Sequence, residues 1–322
     1  MFAAALIAAG VFSVHGPAAA QDYPTRTITI VVPFTAGGPT DTVTRLVAEA
    51  MQRDLGQQII VENVQGAGGT IGASRVAKAD PDGYTLLLHH IGMATSATLY
   101  RSLPYNPREA FAPIGLVTEV PMTIVARADL EPKDAAELVS YLKQNGDKVN
   151  YANAGIGAAS HLCGMLLMRE IGAKLTTVPY KGTGPAMTDL IGGQVDLMCD
   201  QTTNTTNQIK GGKIKGYAVT TPERLKVLPD LPTTQEAGLP GVQVTIWHGL
   251  YAPKGTPDAV VQRLTAALQK ALKDQNVIER FAELGTAPVS EADATPEALA
   301  KTVNEEIDRW APVIKDAGEF AD

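Results

Sequence analysis

The chain has 322 residues, 45% of them hydrophobic, and a formal charge of −7 spread along its length without a basic block. That pattern argues against nucleic acid as a partner, and it requires any anion to be held by local dipoles rather than by the overall field. The two cysteines, Cys163 and Cys199, lack C-x-x-C spacing and do not suggest a zinc site; a disulfide in an oxidising compartment and two buried free thiols both fit.

Residues 1–20, MFAAALIAAGVFSVHGPAAA, carry no charged side chain, have an apolar core over 2–14 and end in three alanines. They read as a secretory signal cut near Gln21, which places the mature chain in the periplasm, although the usual basic residues at the start are absent. No later segment approaches the length of a membrane helix. The remaining chain of about 300 residues suits two lobes of about 120 to 180 residues each.

The most informative stretch is 28–45, ITIVVPFTAGGPTDTVTR. The β-branched run 28–32 predicts a strand covered on both faces. Gly37 and Gly38 allow a tight turn in which no side chain holds a ligand off the backbone amides, and Pro39 suits the first turn of a helix running to about Leu55. Free amides and the positive end of the helix dipole then make a cradle for a carboxylate or phosphate. An ordinary strand-to-helix turn is the plainer reading of the same residues.

The pattern repeats. A strand at 58–63, a glycine turn at 66–69, a helix at 70–79, the breaker DPDG at 80–83, a strand at 84–90 and a short helix at 93–101 follow in order. Such alternation predicts βαβ units on a mostly parallel sheet. Residues 114–127 hold two apolar runs separated by Pro121 and read as one long strand crossing between lobes. Helices at 133–145, 158–171, 184–191 and 203–211 then alternate with strands at 149–154, 175–179, 195–200 and 216–220. A return strand at 242–252 and helices at 258–274, 277–284 and 296–317 complete the chain.

The expected architecture is therefore α/β: two doubly wound lobes joined by a hinge, with 21–121 and 250–322 forming one and 122–249 the other. Glycine-containing turns at 34–41 and 155–160 lie at carboxyl ends of strands, where open α/β sheets bind ligands. With the lobes facing each other, both helix N-termini converge on one cleft and suit a guest with two anionic ends.

The pieces YPTRTITIVVPFTAGGPTDT, VENVQGAGGTIGASRVAKADPDGYTLLL, LYRSLPYNPREAFAPI, YANAGIGAASHL, VPYKGTGPAMTDLIGGQVD and YAPKGTP occur in order along the chain. Together they resemble the Bug-type periplasmic solute receptors, the substrate-binding proteins of tripartite tricarboxylate transporters. HHIGMATSATLY and DLMCDQTTNTTNQIK resemble the branch associated with acidic amino acids. The resemblance implies a type II periplasmic binding protein (Venus-flytrap) fold closing over a small carboxylate. It also implies delivery to membrane transporter subunits or to a sensor ectodomain. In that family the loop matching Phe34, Thr35, Ala36, Gly37, Gly38, Thr40 and Asp41 holds one carboxylate through backbone amides. The loop matching Gly155, Gly157, Ala158, Ser160 and His161, with the turn from Tyr180 through Lys181 and Gly182 to Gly184, supplies the opposing wall.

Individual side chains admit competing readings. His89 and His90 are neighbours on a strand and point to opposite faces, so they do not share a metal; at least one packs, while His90 is a candidate to meet the ligand. Ser160 either caps the 158–171 helix or donates to ligand, and His161 reads as structural. Lys181 either balances a carboxylate or is solvated. Asp200 either receives an ammonium group or caps the next helix with Thr202 and Thr203. Asp41 organises its loop from the first helical turn. Trp247 and His248 fall near the return strand, on the hinge side.

The leading functional expectation is a monomeric, non-enzymatic receptor for an acidic amino acid or C4 dicarboxylate, with no cofactor and no metal. A sensing receptor has the same binding chemistry. A periplasmic hydrolase built on Ser160, His161 or Cys163 lacks a nucleophile elbow and an orienting third group.

Overall fold

The computed structural model describes residues 23–318, 320 and 321; the expected signal at 1–20 lies outside them. The first series of elements is β1 (Ile28–Val32), α1 (Pro39–Leu55), β2 (Ile59–Asn63), α2 (Thr70–Ala77), β3 (Thr85–His90) and α3 (Gly92–Leu99). The crossing strand β4 (Phe111–Arg127) leads into α4 (Ala135–Asn145), β5 (Asn150–Asn153), α5 (Ala159–Ile171), β6 (Thr176–Pro179), α6 (Thr183–Ile191), β7 (Leu197–Gln201), α7 (Thr202–Lys210) and β8 (Ile214–Val219). The chain returns through β9 (Thr245–Pro253) and ends in α8 (Asp258–Leu272), α9 (Gln275–Glu283) and α10 (Pro296–Ala317).

Two α/β lobes result. In the first, β2, β1 and β3 are parallel, and β9 then runs antiparallel to both β3 and β4. In the second, β6, β5 and β7 are parallel, while β7 and β8 pair antiparallel with β4. The parallel expectation thus holds for the wound strands and not for the crossing strands, whose direction hydrophobic periodicity does not report. Strand β4 serves both sheets, facing β9 as far as Pro121 and taking β7 from Met122 onward. Thr245 to Gly249, grouped with the second lobe on sequence, all lie on β9 beside first-lobe strands.

Burial explains the apolar runs. Ile28, Ile30, Val31 and Val32 are fully buried, because α1, α8 and α9 cover one face through Val43, Val47, Leu264, Leu268 and Phe281. On the other face, α10 places Leu299, Val303, Ile307 and Trp310 in a core that continues along β4 into the second lobe through Met122, Ile124, Trp247 and Tyr151. A shared apolar core at the crossing ties the lobes together.

Cys163 on α5 and Cys199 on β7 are disulfide-bonded and fully buried. Beneath the first lobe's loops, His90 pairs with His248 across β3 and β9. The rings of His89 and His90 lie 5.0 Å apart, and those of His90 and His248 lie 5.9 Å apart. Burial, with the mutual repulsion of neighbouring imidazoles, pushes His89 down to about 3 and His90 well below its ordinary value. Burial likewise pushes His248 down to about 3.

Two expectations follow. The bond closes a 36-residue span, worth about 3 to 4 kcal/mol in the chain-entropy picture. The Cys163→Ala/Cys199→Ala variant should lose about that much in denaturant unfolding, and an unchanged midpoint would contradict it. The three imidazoles are neutral when folded and titrate near 6.5 when unfolded, so their stability contribution is complete above that pH and is lost as pH falls, by about 1.4 kcal/mol per unit for each ring. Asp200 on β7, raised to about 6 by burial, acts oppositely; its contribution is present at low pH and lost as pH rises through that value. The net expectation is a thermal midpoint that drops between pH 7 and pH 5, less steeply in His89→Gln; a flat profile in the wild type would overturn it.

Candidate ligand-binding cleft

The loop between β1 and α1 is braced from within. Asp41, buried in the first turn of α1, accepts from the Gly37 amide (2.9 Å), from Arg45 Nε and Nη2 (both 2.9 Å) and from Asn63 Nδ2 (3.0 Å). Asn63 Nδ2 also donates to Phe34 O at 3.0 Å, fastening the other end of the loop to β2. Burial raises the Asp41 carboxyl, but the Arg45, Gly37 and Asn63 hydrogen bonds outweigh it and hold the group below its usual value. Asp41 therefore organises the loop and uses the Gly37 amide in doing so. The first helical hydrogen bond is Thr42 N–H to Gly38 O (3.0 Å). Thr40 and Asp41 consequently present amides that have no carbonyl one turn before them.

Across the cleft, α5 begins at the N-cap Ala158, which has no side chain able to cap. Its first helical bond is Leu162 N–H to Ala158 O (3.0 Å), so the amides of Ala159 and Ser160 have no carbonyl one turn before them. Ser160 is not the cap expected for this helix. Its Oγ accepts from Ala154 N–H at 2.9 Å, which leaves the hydroxyl proton to donate. His161 is buried and accepts from Gly157 N–H through Nδ1 at 3.5 Å.

Between the two helix ends lies a narrow cavity of about 20 Å³, lined by Phe34, Gly38, Pro39, Thr40 and His90 from the first lobe and by Ala154, Ala158, Ala159, Ser160, Thr183, Asp200 and Gln201 from the second. No lysine or arginine is among these residues. His90 stacks on Phe34 with ring centroids 4.6 Å apart, and its Nδ1 accepts from Gly92 N–H at 2.9 Å. That bond selects the tautomer whose Nε2 carries the proton. Asp200 is 1% exposed, and its Oδ2 accepts from Asn204 Nδ2 at 2.6 Å. It does not act as the expected N-cap: the cap of α7 is Gln201, without a side-chain cap bond. Burial, only partly offset by hydrogen bonds from Asn204, Gln201 and Thr183, raises the Asp200 carboxyl to about 6. Among the described residues, Gln201 Oε1, Thr203 Oγ1 and Thr35 Oγ1 are buried polar atoms without a protein partner.

Of the residues expected at the site, Phe34, Gly38, Thr40, His90, Ala158, Ser160 and Asp200 meet at the cavity. The others surround it. Ala36 and Gly37 are exposed. Gly155 N–H turns back to Asn153 Oδ1 (2.8 Å), and Tyr180 Oη donates to Asp189 Oδ2 (2.6 Å). Lys181 is exposed and does not line the cavity. Gly182 abuts the first-lobe loop so closely that a Cβ there would overlap Thr35 Oγ1. Thr183, inside the expected 180–184 turn, begins α6 and lines the cavity, whereas Gln201, which ends β7, was not anticipated; its signal is position alone. Cys163 is committed to its disulfide and is no nucleophile. Among the described residues no group of three or more His, Cys, Asp or Glu side chains is arranged for a metal, and no helix is long and apolar enough to cross a membrane.

Residues 43–319 match the tripartite tricarboxylate transporter family receptor. A protein of Agrobacterium vitis, the UPF0065 protein in the TAR-I ttuE-ttuC' intergenic region, is 58% identical over 303 residues, covering 94% of this chain and 88% of that protein. Among solved structures, the periplasmic binding protein BugD is 54% identical with a TM-score of 0.91, covering 93% of this chain and all (100%) of that one. MatC from Rhodopseudomonas palustris, solved with bound malate, is 46% identical with a TM-score of 0.88, covering 91% of this chain and 100% of its own. The chain thus belongs to the tripartite tricarboxylate transporter receptor family, and is a periplasmic solute-binding receptor rather than an enzyme.

Proposed function

We propose that the receptor captures an acidic amino acid by lobe closure and presents it to the membrane subunits of its transporter. The carboxylates of the guest face the N-termini of α1 and α5, and its ammonium faces Asp200. The observation that carries this reading is a buried carboxylate, Asp200, on the wall of a cavity that offers helix N-termini but no lysine or arginine. A buried carboxylate without a cationic partner is costly, and a guest that brings its own ammonium relieves that cost. Ser160, with its proton free to donate, and His90, with its Nε2 proton, supply neutral donors for carboxylate oxygens.

A second reading is a C4 dicarboxylate without an amine, favoured by the malate held in the related MatC structure. Asp200 then binds in its protonated form and donates to the guest, which its raised titration makes accessible at mildly acid pH.

Aspartate and succinate separate the two, since they differ by the ammonium. With ligand-stripped protein at pH 7.5, aspartate at about a hundredfold its Kd should add about 2.7 kcal/mol, a shift of several degrees for a chain of this size. Asp200→Asn should weaken aspartate by about a hundredfold or more, as loss of one partner from a buried pair does, and leave succinate nearly unchanged. Because aspartate needs the ionised Asp200, its affinity should also fall about tenfold between pH 7 and pH 5, given titration near 6. Succinate should hold or gain affinity over that interval. Tighter succinate binding at pH 7.5 would remove the ammonium role, and binding of neither acid would remove the carboxylate reading.

A further inference from the structure

We infer that Thr95 and Tyr100, first-lobe residues outside the cavity, are positioning residues that latch the α5 anion-binding turn when the cleft closes. The inference rests on the receptor reading above, but not on which carboxylate is bound.

Thr95 is fully buried in α3 and donates through Oγ1 to Gly157 O across the cleft at 2.8 Å. Its local acceptor, Gly92 O in its own helix, lies at 3.5 Å, so the cross-lobe bond is the better formed of the two. Tyr100, immediately after α3, donates through Oη to Ile156 O at 2.9 Å. Ile156 and Gly157 are the two residues before the Ala158 cap. Each captured carbonyl belongs to a peptide whose N–H is also spoken for. Gly157 N–H goes to His161 Nδ1 (3.5 Å), and Ala158 N–H goes to Gly155 O (3.1 Å). Both peptide planes are thereby held at both ends, and they set the direction of the Ala159 and Ser160 amides that follow.

The first lobe is shaped to admit this contact. Gly68, at φ 59°, sits where a Cβ would overlap Ile156 O and would stand 2.9 Å from Tyr100 Oη. Opposite it, a Cβ on Gly155 would lie 3.3 Å from Gly68 N. Backbone therefore packs on backbone between the 66–69 turn and the 155–157 turn, and any side chain at Gly68 props the lobes apart. Neither hydroxyl lines the cavity. Both hydrogen bonds join one lobe to the other, so they exist only in the closed form. Removing them lowers the closed population and weakens every ligand by one common factor, without altering the choice between ligands.

The test uses Thr95→Val, Tyr100→Phe and Gly68→Ala, with Thr95→Ser as the conservative rescue. Affinity and dissociation rate are measured for aspartate and succinate, and a spin-label distance between the lobes is measured in ligand-free protein. Thr95→Val and Tyr100→Phe should each weaken binding about three- to tenfold, through faster dissociation. The aspartate-to-succinate ratio should stay unchanged, Thr95→Ser should remain near wild type, and all three disruptive variants should shift the cross-lobe distances to longer values. Unchanged affinity and distances would overturn the latch, as would an altered ligand ratio. If the wild type binds neither acid, the carboxylate reading fails, and the ligand-free distances alone decide the latch: lengthening supports it and no change overturns it.

Discussion

Both lobes are built on one strand. β4 spans 17 residues, about 56 Å at the usual rise per residue, and its first part belongs to one sheet while its last part belongs to the other. The exchange of partners occurs at Pro121, a residue with no N–H to give to a ladder, and Met122 begins the pairing with β7. The apolar core continues along β4 through Met122, Ile124 and Trp247, so the two lobes share packed side chains at the crossing. The loops following β1 and β5 meet across the cleft, and the chemistry of the cleft is whatever those loops carry.

What they carry is mainly backbone. Thr40 and Asp41 at α1, and Ala159 and Ser160 at α5, present amides with no carbonyl one turn before them, and no cationic side chain lines the cavity. Dipoles of this kind attract any carboxylate, so they explain a class of ligand rather than a particular one. The polar side chains among the cavity's lining residues are those of Thr40, His90, Ser160, Thr183, Asp200 and Gln201. The acidic overall charge is compatible with this arrangement because the attractive field is short-ranged and confined between two helix ends.

The sequence displayed the scaffold more fully than the contacts. The run 28–32 followed by Gly37, Gly38 and Pro39 marked strand, turn and helix, and the ordered motifs marked the family. Propensity did not show that Asp41 claims the Gly37 amide, because that bond depends on where Arg45 and Asn63 converge. Nor did it show that Tyr180 turns to Asp189, or that Lys181 stays in solvent. Gln201 was missed because a residue at the end of a strand is aimed by tertiary packing rather than by period. The disulfide remained open for a related reason: the spacing of Cys163 and Cys199 does not report the distance between α5 and β7, and that distance decides whether a bond can form.

That disulfide bears directly on the cleft. Cys163 lies three residues beyond Ser160 on α5, and Cys199 is the neighbour of Asp200 on β7. A second tie runs alongside it, since Tyr151 Oη donates to Ser160 O (2.6 Å) and accepts from Cys199 N–H (3.2 Å). Tyr151 is 1% exposed, so this hydroxyl bridge operates away from water, where hydrogen bonds are electrostatically stronger. Gly164, whose Cβ would collide with the Tyr151 ring, keeps α5 low enough for the bridge to form. One covalent bond and one tyrosine therefore fix the offset between the N-terminal end of α5 and the Asp200 carboxylate within a single lobe. If the guest is an amino acid, that fixed offset is the one its carboxylate and its ammonium have to match.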